Sequence, residues 1–339
     1  MASDQRSQRS NILFAYGVAL FLVFLYLARD VVLLVYISAL SAVVIFPGVE
    51  QVQKLRVGSW HPSRGLAILL VIVGVLALLT VFFIFALPPI FHDLRALATE
   101  GPARTAELSE RLRRIPYADR LDTNALQGYA AGAVGGMLGL FKGVAGGVLA
   151  FFSWLVMTAY FIIDGEHVFD WAMSLSPKRH RQRLEPTVRR AQRRVRNWLI
   201  GQGALMLILG TAAFIVFGAM QLKYFYLLAV VAGLANIIPI VGPIVTVVLA
   251  SLVAATDSWT KVGGVLIFYL VYQQVENAFL TPRIMKSTVD LPPVAVIVAL
   301  ALGGAVAGIA GALIAVPTAA WVAVLIDEYV VKENEPASA

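Results

Sequence analysis

The stretch Val271-Tyr-Gln-Gln-Val-Glu-Asn-Ala-Phe-Leu280 sets Gln273, Gln274, Glu276 and Asn277 within about one and a half helical turns of an otherwise apolar run. Carboxamides donate and accept hydrogen bonds, and a carboxyl can hold or release a proton. Glu276 is the only acid between Asp257 and Asp290. A carboxylate facing hydrocarbon is costly, so it must face a cavity, a partner or the backbone. Such a group suits proton-coupled transport. The structural alternative pairs it with Arg283, seven residues on and on the same helical face. A second feature is Asn236-Ile-Ile-Pro-Ile-Val-Gly-Pro243. Pro239, Gly242 and Pro243 remove helical hydrogen bonds and leave carbonyls unpaired. Non-helical backbone at membrane depth is tolerated only inside protein or beside water. In secondary transporters such breaks, Asn236 among the polar groups here, hold a substrate or ion near the bilayer midplane. A kink or turn with no ligand is the plainer reading.

Membrane-spanning helices must position these groups. Of 339 residues, 59% are hydrophobic and 14% charged, against roughly 25% charged in soluble domains. Ser10–Ala28, Val31–Val49, Gly65–Phe91, Gly143–Ile163, Asn197–Leu222, Tyr224–Thr256 and Leu291–Ile326 contain no Asp, Glu, Lys or Arg. Apolar runs of about 18 residues or more read as spans. The fold class is an all-α membrane protein of about eight transmembrane helices. The first two spans are expected to form a hairpin at Arg29-Asp30, Pro47-Gly48 to break the chain, and Pro88-Pro89 to stop the third span. The Tyr224–Thr256 run is about 50 Å as a straight helix, against about 30 Å of hydrocarbon. It and Leu291–Ile326 are each one broken span or two half-spans in a re-entrant hairpin.

The chain divides into 1–90, three spans; 91–135, an extracytoplasmic region of short amphipathic helices; and 136–164, a glycine-rich fourth span. Then come 165–196, a basic amphipathic segment; 197–328, the C-terminal membrane region with the broken helix; and 329–339, a tail. Gly136, Gly139, Gly143 and Gly147 have the small-residue spacing that lets helices approach closely in lipid. Gly304, Gly308, Gly311 and Pro317 interrupt the last run and read as packing surfaces too. Nine Lys and Arg residues fall within 165–196. That basic stripe lies on an anionic leaflet and sets both termini on the cytoplasmic side. Arg6 and Arg9 precede an apolar stretch too long for a signal h-region, so the first span is expected to stay uncleaved.

Asn236–Pro243, then Glu276 with Pro282-Arg283-Ile284, Leu291-Pro292-Pro293, and Gly303-Gly304, Gly308, Gly311 and Pro317 resemble the C-terminal pattern of the autoinducer-2 exporter family. The motif match covers about residues 230–320, and the hydropathy layout is similar over nearly the whole chain. Pro292-Pro293 departs from the polar or His residue expected before a single proline. The resemblance implies a bacterial inner-membrane protein of about eight helices that assembles as a homo-oligomer, five subunits being one candidate number. It implies efflux of a small signalling solute such as autoinducer-2, or exchange of sodium or lithium for protons.

The leading expectation is therefore a secondary transporter exporting a small polar solute, driven by H+ or Na+. A sodium–proton antiporter and a non-transporting scaffold are the rivals. The sequence has no cysteine and no close histidine spacing, so neither a metal site nor a cofactor is expected. No GxxxxGK phosphate loop or HExxH motif occurs. The net charge of +7 reads as orienting arginine and not as nucleic-acid binding.

Overall fold

The computed structural model describes residues 14–55 apart from 15, 22 and 25, together with 62–113, 123–285 and 291–331. For 101–113 and most of 123–148 the description is confined to the helical backbone. All regular structure among the described residues is helical: α1 (Arg29–Lys54), α2 (Arg64–Arg113), α3 (Thr123–Ser174), α4 (Lys178–Ala219), α5 (Phe225–Ala235), α6 (Val241–Ala255), α7 (Trp259–Val275), α8 (Thr281–Ile284) and α9 (Pro293–Ile326). A π-helical turn, Glu276–Leu280, joins α7 to α8, and a second, Asp327–Val331, follows α9. Large apolar side chains cover the outside: Leu78 is 70% exposed and Leu207 73%. Backbone polar groups in hydrocarbon must be satisfied within the segment, which is why spans of this composition are helical. The chain is an all-α membrane protein, with five helical segments long and apolar enough to cross a bilayer among the described residues.

Proline is less disruptive than expected. Pro47 sits inside α1, and α2 continues through Pro88-Pro89 to Arg113. The prolyl φ is itself helical. In a membrane helix neighbouring groups can satisfy the carbonyls that proline frees. Nor does the chain reverse at Arg29-Asp30. Ala28 N–H donates to Phe24 O at 2.8 Å and Val32 N–H to Ala28 O at 2.9 Å, the spacing of a continuing helix. Two charged residues without Gly, Pro or Asn carry no turn chemistry. The polar region after the third span is built from extensions of α2 and α3 in place of separate short helices. At 50 residues α2 is about 75 Å long, well beyond the hydrocarbon layer.

Both long apolar runs double back. After α5, residues 236–240 turn the chain so that Leu228, Ala229 and Ala232 share a core with Ala250 and Ala254 of α6. The helices have 11 and 15 residues, or about 16 and 22 Å, each short of a full crossing. Within α9 the helix breaks at Ala307 (φ −140°, ψ 23°) and Gly308 (φ 58°, ψ −137°). Only glycine adopts the latter backbone without strain. The break lays Gly303 against the Gly311 backbone and brings Leu300 to Ala315 and Val316. In a straight helix Gly303 and Gly311 would lie about 12 Å apart.

The pillar between these hairpins is α4, which fuses the basic segment and the fifth span into one helix. Its buried stripe, including Thr187, Ala191, Val195, Trp198, Gln202, Leu205 and Leu209, recurs every three or four residues. Gly210 of α4 and Gly233 of α5 meet backbone to backbone: a β-carbon on Gly210 would lie 3.3 Å from the Gly233 Cα. That crossing draws α5 tightly onto the pillar. At its N-terminus α5 is held by Asp93 of α2, whose carboxylate accepts from the Leu227 N–H at 3.2 Å, where an anion is favoured. On the other flank α1 and α3 pack together, with Trp154 Nε1 donating to Ser41 Oγ at 3.1 Å. Glu328, after α9, pairs with Arg190 at 2.9 Å and Arg183 at 3.6 Å and ties the end of the α9 hairpin to the basic part of α4.

Candidate functional site

Where the first hairpin tip meets α4, α7 and the second hairpin lies a cavity of about 740 Å³. Asn236, Pro239 and Pro243 enter from the tip, and Gln273, Glu276 and Asn277 from the end of α7. These two groups of polar and proline residues are 30 or more positions apart in sequence, yet they share one wall.

The tip owes its shape to two residues. Gly242 opens α6, and any β-carbon there would collide with the Ala235 carbonyl and lie 2.8 Å from the Asn236 nitrogen. Ile240, on the cavity wall, has φ 69° and ψ −54°. The Val241 N–H donates to the Pro239 carbonyl at 2.7 Å, which closes a γ-turn around it. This is the rare form of that turn, and a β-branched residue there stores strain of order 1–3 kcal/mol. Such strain is held only where the surroundings fix the loop.

Polar atoms inside the site are incompletely paired. Asn236 is 2% exposed, and its Nδ2 has no hydrogen-bond partner among the described residues. Glu276 Oε2 likewise makes no close hydrogen bond, although the Tyr272 hydroxyl is set against that carboxyl and the Tyr269 hydroxyl against Thr246. A buried donor or acceptor without a partner costs about 1–3 kcal/mol, so such a group facing a polar cavity calls for water or a ligand. Gln273 Nε2 approaches Asn277 Oδ1 at 3.5 Å, and Thr246 Oγ1 donates to the Gly242 carbonyl at 3.0 Å.

The π-helical turn carries Glu276 and Asn277. Its i+5 bond runs from the Thr281 N–H to the Glu276 carbonyl. Pro282 explains it: proline has no N–H and crowds the carbonyl four residues back, so the turn before it widens. The extra residue also shifts the helical phase by about 100°. Arg283 is thereby swung off the Glu276 face; it is exposed, with its guanidinium 5.8 Å from the Phe279 ring centroid. Among the described residues no ion pair joins Glu276 to Arg283, so the structural pairing anticipated from the sequence is not formed. Gln274 is exposed and does not line the cavity.

Gln202 of α4 was not anticipated. It is buried, it lines the cavity, and its carboxamide N–H donates to the Asn236 backbone carbonyl. It is a polar side chain in a charge-free run, the same signal that marks Glu276. Replacing Gln202 by leucine would leave that carbonyl unpaired and is expected to destabilise the protein by about 1–3 kcal/mol. Thermal melting in detergent reads it, and an unchanged midpoint would remove Gln202 as the support of the tip.

The glycines divide. Gly311 packs within the second hairpin, Gly308 makes its turn and Pro317 is buried. Gly147 and Gly304 have nothing within 4 Å of where a β-carbon would stand. Of Gly136, Gly139 and Gly143 only the helical backbone is described. No group of His, Cys, Asp and Glu able to hold a metal occurs among the described residues.

The sequence profile described as "AI-2E family transporter" matches residues 16–331. Relatives named "Putative transport protein" include the following three. YrrI of Bacillus subtilis (strain 168) is 32% identical over 176 residues, 52% of this chain and 50% of that protein. The sll0060 protein of Synechocystis sp. is 26% identical over 176 residues, again 52% and 50%. MT0215 of Mycobacterium tuberculosis is 28% identical over 285 residues, 77% and 75%. Against the first two, the chain spans about half the length of the protein it matches.

Proposed function

The chain belongs to the AI-2E family of transporters, and on that premise we propose that the cavity between the two hairpins, α4 and α7 is where a small polar solute crosses the membrane. The observation that supports this most directly is that the buried, unpartnered Asn236 Nδ2 and the Glu276 carboxyl share the wall of one cavity. A solute with hydroxyls supplies both an acceptor for the amide and a donor for the carboxyl. A polyhydroxylated signalling molecule such as autoinducer-2 has that chemistry. The two hairpins dip into the bilayer from opposite sides, and the cavity lies where the tip of the first meets the arms of the second at Val296, Val316 and Ala320, so that movement of one hairpin against the other exposes it alternately. Export is driven by a proton gradient, with Glu276 taking up and releasing the proton. The protein sits in the inner membrane with the basic part of α4, and the segment after α9 that pairs with it, on the cytoplasmic side, and works as a homo-oligomer, its outward-facing Gly147 packing against neighbouring subunits.

The test is reconstitution in vesicles. Solute flux is expected to rise several-fold when a proton gradient is imposed. Flux equal to that of empty vesicles for every polyol tried, with and without the gradient, would contradict a transport role for the cavity.

A further inference from the structure

A second cavity, of about 520 Å³, opens between α1, α3 and α4. One part of its wall is apolar, with Phe46 of α1 and Phe161 and Ile162 of α3; the other carries Arg189, Arg193 and Arg196 of α4. The charge boundaries of three helices coincide here. On α1 the charge-free run ends at Val49 and Glu50 follows. On α3 it ends at Ile163, and on α4 it begins at Asn197 beside Arg196. All three boundaries meet at this cavity, so its apolar part lies at hydrocarbon depth and its arginines at headgroup depth.

The local charges do not cancel. Glu166 on the wall is taken by Arg64 at 3.3 Å. Arg189 is taken by Glu185 at 3.2 Å and lies over the Phe169 ring. Among the described residues no carboxylate pairs with Arg193 or Arg196, and Glu50 is the one acid on the wall without an ion-pair partner. A guanidinium pair matches the oxygens of a phosphodiester. The basic side is also the side on which anionic lipid accumulates.

We propose that this cavity binds one anionic phospholipid, with its phosphate on Arg193 and Arg196 and an acyl chain along Phe46 and Phe161. A free phosphate has no use for the apolar wall. A zwitterionic lipid would bring a cationic ammonium group of its own among the arginines. The site is separate from the solute pathway and is tested by binding alone.

The test titrates phosphatidylglycerol into the full-length protein, purified in detergent and stripped of lipid, and follows the melting midpoint. Stabilisation is expected at concentrations where phosphatidylcholine and inorganic phosphate give none. R193Q/R196Q is expected to raise the half-saturating concentration roughly fivefold or more, as loss of charge-assisted hydrogen bonds requires. R179Q/R181Q, which removes equal charge from the same basic segment, should change it less than about twofold. Equal responses of the two double variants, or equal stabilisation by phosphatidylcholine or by phosphate alone, overturn the proposal. Should R193Q/R196Q fail to fold, photoactivatable phosphatidylglycerol on the wild-type protein decides. Crosslinks concentrated on peptides containing Phe46 or Phe161 support the site, and crosslinks spread over the apolar surface overturn it.

Discussion

Alanine at Gly311 is expected to destabilise the protein by more than about 3 kcal/mol, beyond the usual range for overpacking. Its β-carbon would run into the Gly303 carbonyl and lie 3.0 Å from the Ala307 β-carbon. Backbone cannot rotate aside as a side chain can, so the two arms of the α9 hairpin would have to part. Leu300, Ala315 and Val316 would then lose their shared core with Trp198. Gly304→Ala, one residue beyond Gly303, is the control. Nothing stands within 4 Å of its β-carbon position, so the change should stay within about 0.5 kcal/mol. Melting of the two purified variants separates them, and equal midpoints would show that α9 is not folded back.

Glu276→Gln is expected to abolish the gradient-driven part of solute flux, a loss of tenfold or more, equivalent to about 1.4 kcal/mol or more. Glutamine keeps the size and hydrogen-bonding reach of the side chain but cannot take up a proton. The fold should survive, because a glutamine amide can still accept from or donate to the Tyr272 hydroxyl set against this side chain. The diagnostic is therefore a split. Downhill exchange of solute across the membrane persists, while accumulation against a gradient disappears. Variant vesicles that still concentrate solute like the wild type would remove Glu276 from the coupling.

Much of the site was legible because membrane burial makes polar residues conspicuous. Asn236, Gln273, Glu276 and Asn277 stand out in apolar runs and do share one cavity. The broken character of the two long runs was visible in Pro239, Pro243 and the glycines around Gly308. Which of the two geometries they adopt was not, because a hairpin depends on contacts such as Gly303 with Gly311 that local pattern does not encode. Arg283 was misplaced for a definite reason: counting seven residues as two turns assumes an α-helix, and the π-helical turn adds one residue to the count. Pro47 and Pro88-Pro89 were read as stops because proline's cost is a local rule, whereas its compensation comes from neighbouring helices. Gln202 reaches Asn236 across 34 positions, a pairing that no periodicity announces.

The central claim, that aqueous solute reaches the pocket at the tip of the first hairpin, is tested most directly by thiol accessibility. The chain has no cysteine of its own, so single cysteines can be placed at Ile240 and Thr281 on the cavity wall and at Leu207 on the outer surface of α4 as the lipid-facing control. A charged, membrane-impermeant thiol reagent is predicted to label the first two in intact vesicles, with the rate changing when the proton gradient is reversed, and to spare the third. Cavity cysteines as unreactive as Leu207→Cys under both gradients would mean that no aqueous path leads there.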